Sequence, residues 1–171
     1  MTGEPVVGGS LRFLELFAGG GMARAGLGPE WRCAFANDFD FKKASAYQMN
    51  WSADGMCPEL QQGDVRKVKA ADLPDADFAW ASFPCQDLSL AGGGAGLKGE
   101  RSGTFYPFWE VMRALIDMNR GLRVIALENV TGALTSHAGK DFSAICGTFA
   151  DADYRFGALV IDAALFVPHS R

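Results

Sequence analysis

Short apolar runs that stop abruptly at a glycine, an acid or a cysteine, with helically spaced segments between them, constrain this chain more than any other feature. The runs fall at residues 11–17, 33–36, 78–83, 124–127 and 158–161, and each has the length of a buried strand. Between them, segments 41–50, 106–119 and 140–150 repeat apolar residues at the spacing of amphipathic helices. Strand and helix in alternation predict parallel strands joined by helical crossovers, that is, a doubly wound, mostly parallel α/β sheet. Segment 90–103 breaks the pattern, because its glycines at 92, 93, 94, 96, 99 and 103 hold neither helix nor strand. It is read as a mobile loop. Residues 1–10 are read as a flexible tail and 11–171 as one domain, since 171 residues at 49% hydrophobic build one core and hardly two.

Composition excludes several classes. No stretch approaches the roughly eighteen apolar residues of a membrane span, and the opening MTGEPVVGGS lacks a basic segment followed by an apolar one. A cytoplasmic protein with no membrane partner is expected. Cys33, Cys57, Cys85 and Cys146 form no CxxC pair, and only His137 and His169 stand ready to join them, so neither a metal site nor a disulfide framework is expected. The net charge of −4 does not describe a surface that holds nucleic acid by its overall field. Arg66, Lys67, Lys69, Lys98 and Arg101 read as solvated surface.

In an open α/β sheet, ligands collect beyond the carboxyl ends of the strands. After the first run comes Phe17-Ala18-Gly19-Gly20-Gly21, where missing Cβ atoms let backbone approach a nucleotide-like ligand. After the second comes Asn37-Asp38-Phe39-Asp40, about twenty residues beyond the glycines, with Asp38 suited to accept from both ribose hydroxyls and Asp40 to cap a helix. That spacing does not separate a nicotinamide cofactor from S-adenosylmethionine. Gly63-Asp64-Val65 places a carboxylate where a third strand would end, suited to an exocyclic amine and equally to a plain turn. The fourth run ends in Ser82-Phe83-Pro84-Cys85-Gln86, and a cysteine there is held by rigid backbone yet exposed to substrate. A free cysteine is more commonly a buried small hydrophobe. The fifth ends in Leu127-Glu128-Asn129-Val130, an acid on the same edge that would otherwise be a capping or ion-paired carboxylate.

Taken in order, these segments resemble the cytosine-C5 DNA methyltransferases over nearly the whole chain. The glycine loop resembles Phe17–Gly21, the Pro-Cys-Gln signature stands at Pro84-Cys85-Gln86 and the Glu-Asn-Val signature at Glu128-Asn129-Val130. An arginine-glycine element resembles Arg101-Ser102-Gly103-Thr104-Phe105, and a proline-glutamine-x-arginine element resembles Val167-Pro168-His169-Ser170-Arg171. The resemblance implies a Rossmann-like fold that binds S-adenosyl-L-methionine, cut short before its final antiparallel strand and its target-recognition region. It assigns Cys85 as nucleophile and Glu128 as the acid at the base. Phe17, Gly19, Gly21, Asp38, Phe39, Asp64, Val65 and Pro84 would hold the cofactor, with Asp38 on the ribose, Phe39 on adenine and Asp64 on its amino group. Pro84, Gln86, Ser89, Arg101, Thr104 and Arg171 would meet the base or DNA.

Met22 stands where many members carry another glycine, His169 replaces the usual glutamine, and the chain stops one step short of a second arginine. The implied substrate is double-stranded DNA with its cytosine flipped out, in restriction–modification or in phage or host DNA modification. A complementing carboxy-terminal subunit is the further partner expected, and without it the chain is expected to be inactive. Three alternatives stay open: a transfer-RNA methyltransferase relative, a non-catalytic fragment or regulatory partner, and a nicotinamide-dependent oxidoreductase. The last leaves both signatures unexplained.

Overall fold

Every strand of the computed structural model runs parallel to its neighbours, in the order β3-β2-β1-β4-β5. The structure describes residues 11–52, 56–84 and 104–166. β1 (Leu11–Leu16) pairs on one side with β2 (Trp31–Asp38), which pairs with β3 (Leu60–Gln62). On its other side β1 pairs with β4 (Phe78–Ala81), which pairs with β5 (Val124–Leu127). The chain therefore winds outward from β1 in one direction, returns, and winds outward in the other. The reversal lies between β1 and β4, where ligands bind in folds of this kind.

Helices cover both faces, so the central strands are apolar on both sides rather than alternating. Leu14 and Leu16 of β1 and Ala79 and Ala81 of β4 pack against α3 (Phe105–Asp117). Phe105, Phe108, Met112 and Leu115 of α3 line one stripe and are all essentially buried, which contributes about 1.5–3 kcal/mol for each large side chain. On the opposite face Phe13, Ala36 and Phe78 pack with Tyr47 of α2 (Phe41–Trp51). α1 (Met22–Leu27) is short and follows the glycine loop directly, so the helix begins at the residue that replaces the family's further glycine. Asp40 caps α2 as expected, accepting from the Lys42 and Lys43 amides at 2.8 and 3.1 Å. After β5 come α4 (Gly132–Thr135) and α5 (Lys140–Ala150).

One expected strand does not form. Residues 158–161 are irregular and exposed, with Leu159 88% and Val160 67% accessible. A strand needs a neighbour to receive its amides and carbonyls, and no described strand lies beyond β5 to supply one. Between the β5 edge, α5 and residues 155–161 runs an apolar groove of about 690 Å³, lined by Ile125, Leu127, Ile145, Phe149 and Val160 among others. The expected tail 1–10 and loop 90–103 lie outside the described residues.

Candidate active site

The crevice at the strand reversal is bounded by the segment after β1 and the segment after β4. Phe17 and Gly19 adopt left-handed backbone, at φ 58° and 57°, and Gly21 does so at 82°. For Phe17 such a conformation is unfavourable and must be held by its surroundings. Three contacts hold the loop: the Gly19 amide donates to Asp38 Oδ2 at 2.8 Å, and Asn50 Nδ2 and Trp51 Nε1 both donate to the Gly20 carbonyl, at 2.9 and 3.0 Å. A Cβ on Gly21 would lie 2.0 Å from Trp51 Nε1, whereas one on Gly19 would meet nothing within 4 Å. The glycine at 21 is thus demanded by an indole behind the loop, and the open approach expected of both glycines belongs to Gly19.

Asp38 is buried at the carboxyl end of β2, and both its oxygens are engaged, Oδ2 by Gly19 and Oδ1 by the Asp40 amide at 2.8 Å. Each carboxylate oxygen keeps a second lone pair for a ligand hydroxyl. Phe39 is 71% exposed, so its ring stands beside the crevice and not in the core. Asp64 follows β3 and caps the turn Val65–Lys67 through the Arg66 amide, with the Arg66 guanidinium 3.3 Å away. Val65 is buried beneath it.

The two ends that carry the signatures are tied together. The Glu128 amide donates to the Ala81 carbonyl at 3.0 Å, extending the β4–β5 ladder, and Asn129 Nδ2 donates to the Phe83 carbonyl at 3.0 Å. Pro84, half-buried, continues directly from that anchored residue. Glu128 is exposed at the same edge. Thr104 is half-buried at the start of α3.

One acid was not anticipated. Glu15, inside the buried run of β1, is 1% exposed, and its Oε1 accepts from the Ala23 amide at 3.2 Å while Oε2 has no partner. Burial pushes its carboxyl up to about 7, against the opposing pull of the Arg24 and Ala23 amides and the Arg24 charge. It lines a cavity of about 430 Å³ shared with Ser82, Trp80, Met22 and Glu128. The larger groove beyond β5 is mainly apolar and flanks the sheet edge rather than the strand reversal, although Glu128 and Asn129 line it too.

The sequence profile described as C-5 cytosine-specific DNA methylase matches residues 11–171. The chain belongs to this family. It is 30% identical to the type II methyltransferase M.HhaI of Haemophilus parahaemolyticus over 94% of the chain and 46% of that protein. With M.BsuFI of Bacillus subtilis the identity is 32%, over 91% of the chain and 36% of the relative. The chain thus spans less than half the length of these relatives. Among solved structures, an Entamoeba histolytica methyltransferase, EhMeth, superposes with a TM-score of 0.77 at 16% identity, covering 96% of this chain and 51% of that one. Dnmt2 of S. pombe gives 0.64 at 20% identity, covering 91% and 46%. Membership of the C-5 cytosine methylases removes the oxidoreductase alternative and implies S-adenosyl-L-methionine as methyl donor.

Of the expected site residues, Cys85, Gln86, Ser89, Arg101 and Arg171 lie outside the described residues. Two of the described cysteines do not compete for the nucleophile's role. Cys33 and Cys57 are buried, and burial pushes each thiol up to about 11, far from the thiolate a nucleophile needs. They belong to a cluster in which Arg24 Nη1 donates to Tyr47 at 3.1 Å and Glu59 at 2.6 Å and its guanidinium lies 4.7 Å from the Trp51 ring centre. Among the described residues no group of three acids, cysteines or histidines is placed to hold a metal, and no helix is long and apolar enough to cross a membrane.

Proposed function

We propose that this chain is the cofactor- and cytosine-handling portion of a DNA cytosine-C5 methyltransferase, with Cys85 as nucleophile. The observation that carries the reading is the direct bond from Asn129 to the Phe83 carbonyl. It sets Glu128 and the strand leading into Cys85 side by side at one edge of one cavity. The residues also fit the cofactor: a buried carboxylate at Asp38, an open left-handed turn at Gly19 and a free aromatic at Phe39 suit an adenosine. When bound there, S-adenosyl-L-methionine supplies the methyl group.

Cytosine is a poor electrophile at C6 and a poor nucleophile at C5, which covalent activation corrects. The Cys85 thiolate forms the Sγ–C6 bond, and the displaced electron pair moves onto the ring. Glu128, in its protonated form, donates to N3 and stabilises that charge. C5 would then take the methyl group as its bond to the donor's sulfur breaks, leaving S-adenosylhomocysteine; loss of the C5 proton to a base expels the Cys85 thiolate from C6, and the N3 proton returns to Glu128. The substrate is double-stranded DNA with the base turned out of the stack. The relatives' names place them in type II systems, and a restriction–modification role for this chain follows the same line.

A complementing carboxy-terminal piece completes the reading. The open β5 edge and its apolar groove offer a place for one more strand, and the −4 net charge leaves phosphate contacts to another surface. Cys85→Ser in the reconstituted enzyme tests the assignment. Methyl transfer should fall below detection while S-adenosyl-L-methionine binds as before by calorimetry. Equal rates for the two proteins would refute it.

A further inference from the structure

Trp80 Nε1 donates to Ser82 Oγ at 2.7 Å, two positions further along the chain. Satisfying a half-buried indole is the ordinary use of such a bond. Here it also fixes a direction. An indole N–H gives a proton and accepts none, so the Ser82 oxygen is the acceptor and the hydroxyl's own hydrogen is left for another group. The register shows which. β4 and β5 pair Ala81 with Leu127, and the Glu128 amide carries the ladder on to the Ala81 carbonyl, so Ser82 and Glu128 are the next pair across, on one face. Neighbouring strands stand about 4.8 Å apart, a span that a serine hydroxyl and a glutamate carboxyl can bridge, and both residues line the cavity of about 430 Å³. Glu15, the other carboxyl there, stands one step back, opposite Trp80, and is drawn to the α1 amides.

From this we infer that Trp80 and Ser82 are positioning residues for Glu128: the indole directs the Ser82 hydroxyl to one Glu128 oxygen, leaving the other to hold its proton toward the base. The inference rests on the role given to Glu128 above. A carboxylic acid has one oxygen that accepts and one that donates. A serine alone could bond to either, and by taking the acid's proton it would turn that proton away from N3. The indole's donation polarises the hydroxyl and strengthens it as a donor. The bonds then run one way, from Trp80 through Ser82 to Glu128 and on to the ring. Glu128 is exposed on a flexible side chain, so an anchor on one of its oxygens also removes conformations that cannot reach the base.

Indole resonances of the 15N-labelled chain read this relay without catalysis. The Trp80 Nε1–H signal, assigned by its loss in Trp80→Phe, should move in Glu128→Ala and stay near its parent position in Glu128→Gln, which keeps an acceptor oxygen. In a Ser82→Ala background the same Glu128→Ala change should no longer move it. A signal that ignores Glu128, or that moves equally with and without Ser82, overturns the inference. Kinetics of the reconstituted enzyme give the second readout. Trp80→Phe keeps the ring and removes the donor, and should lower kcat by about ten- to a hundredfold with the KM for S-adenosyl-L-methionine unchanged. Ser82→Thr should recover most of the rate lost in Ser82→Ala, and adding Trp80→Phe to Ser82→Ala should cost nothing further. An unchanged kcat in Trp80→Phe, or losses that simply multiply, also overturns it. Either failure leaves the site reading standing, whereas turnover by Cys85→Ser would bring down that reading and the relay with it.

Discussion

The two ends of the sheet differ in how finished they are. At the β1–β2–β3 end, Glu15, Asn37 and Asp38 are all buried polar residues, and Asn37 donates to the carbonyls of Gln61 and Gly63, closing the strand ends on one another. At the β5 end, Val124 is 55% exposed, and Phe156, Leu159, Val160 and Ile161 stand in solvent. Contiguous apolar surface of that kind is rare on a monomeric soluble domain. The strand ends around Asp38 are tied to one another, whereas the β5 side is left open among the described residues.

The most decisive way to break this contrast is to offer the open β5 side a partner. The chain alone should transfer no tritiated methyl to unmethylated DNA and should recover transfer when mixed with a carboxy-terminal half from a relative. Hydrogen exchange on the same mixture should protect Val124–Leu127 and residues 155–161 and leave β1 unchanged. Turnover by the isolated chain at an ordinary enzymatic rate would show that the exposed edge needs no cover.

A second test probes the finished side. Asp38→Ala should weaken S-adenosyl-L-methionine binding by roughly 1.5–3 kcal/mol, or about ten- to a hundredfold. Because Asp38 also receives the Gly19 and Asp40 amides, Asp38→Asn should recover part of the loss through its one remaining carbonyl oxygen. Unchanged affinity in Asp38→Ala would place the ribose elsewhere.

The smallest expected effect concerns stability and carries its own sign. Glu15 titrates near 7 in the folded chain and at 4.5 ordinarily, so its folded form holds the proton more tightly. The stability linked to it is complete below pH 4.5 and is lost as pH rises through about 7. Glu15→Gln should therefore raise the stability of the ligand-free chain by about 1–2 kcal/mol at pH 8, with no gain below pH 4.5. Urea unfolding at the two pH values measures it. A loss of stability at pH 8 would show that Glu15 is not strained in the empty site.

Much of this was legible in the sequence because periodicity is a local property. The spans 124–127 and 140–150 coincide with β5 and α5, since apolar residues at strand or helix spacing bury themselves wherever the chain leads them. β3 reads Leu-Gln-Gln and carried no apolar signal. Only the Gly63-Asp64 stop behind it gave it away. Residues 158–161 misled for the opposite reason, being apolar without a neighbour to pair with. Glu15 went unnoticed inside an apolar run, although a charge in a segment that must be buried on both faces is itself a signal. The reason for Gly21 could not be read at all, because Trp51 lies thirty positions away.

That last contact restricts the order in which this chain can drift. Any side chain at 21 collides with the indole of Trp51, and the left-handed φ of 82° penalises it again. The indole cannot leave freely either, since it donates to Gly20 and lies against Arg24. Mutational histories that change position 21 must therefore pass first through a smaller residue at 51, and the two sites should behave as an epistatic pair in any library that randomises both.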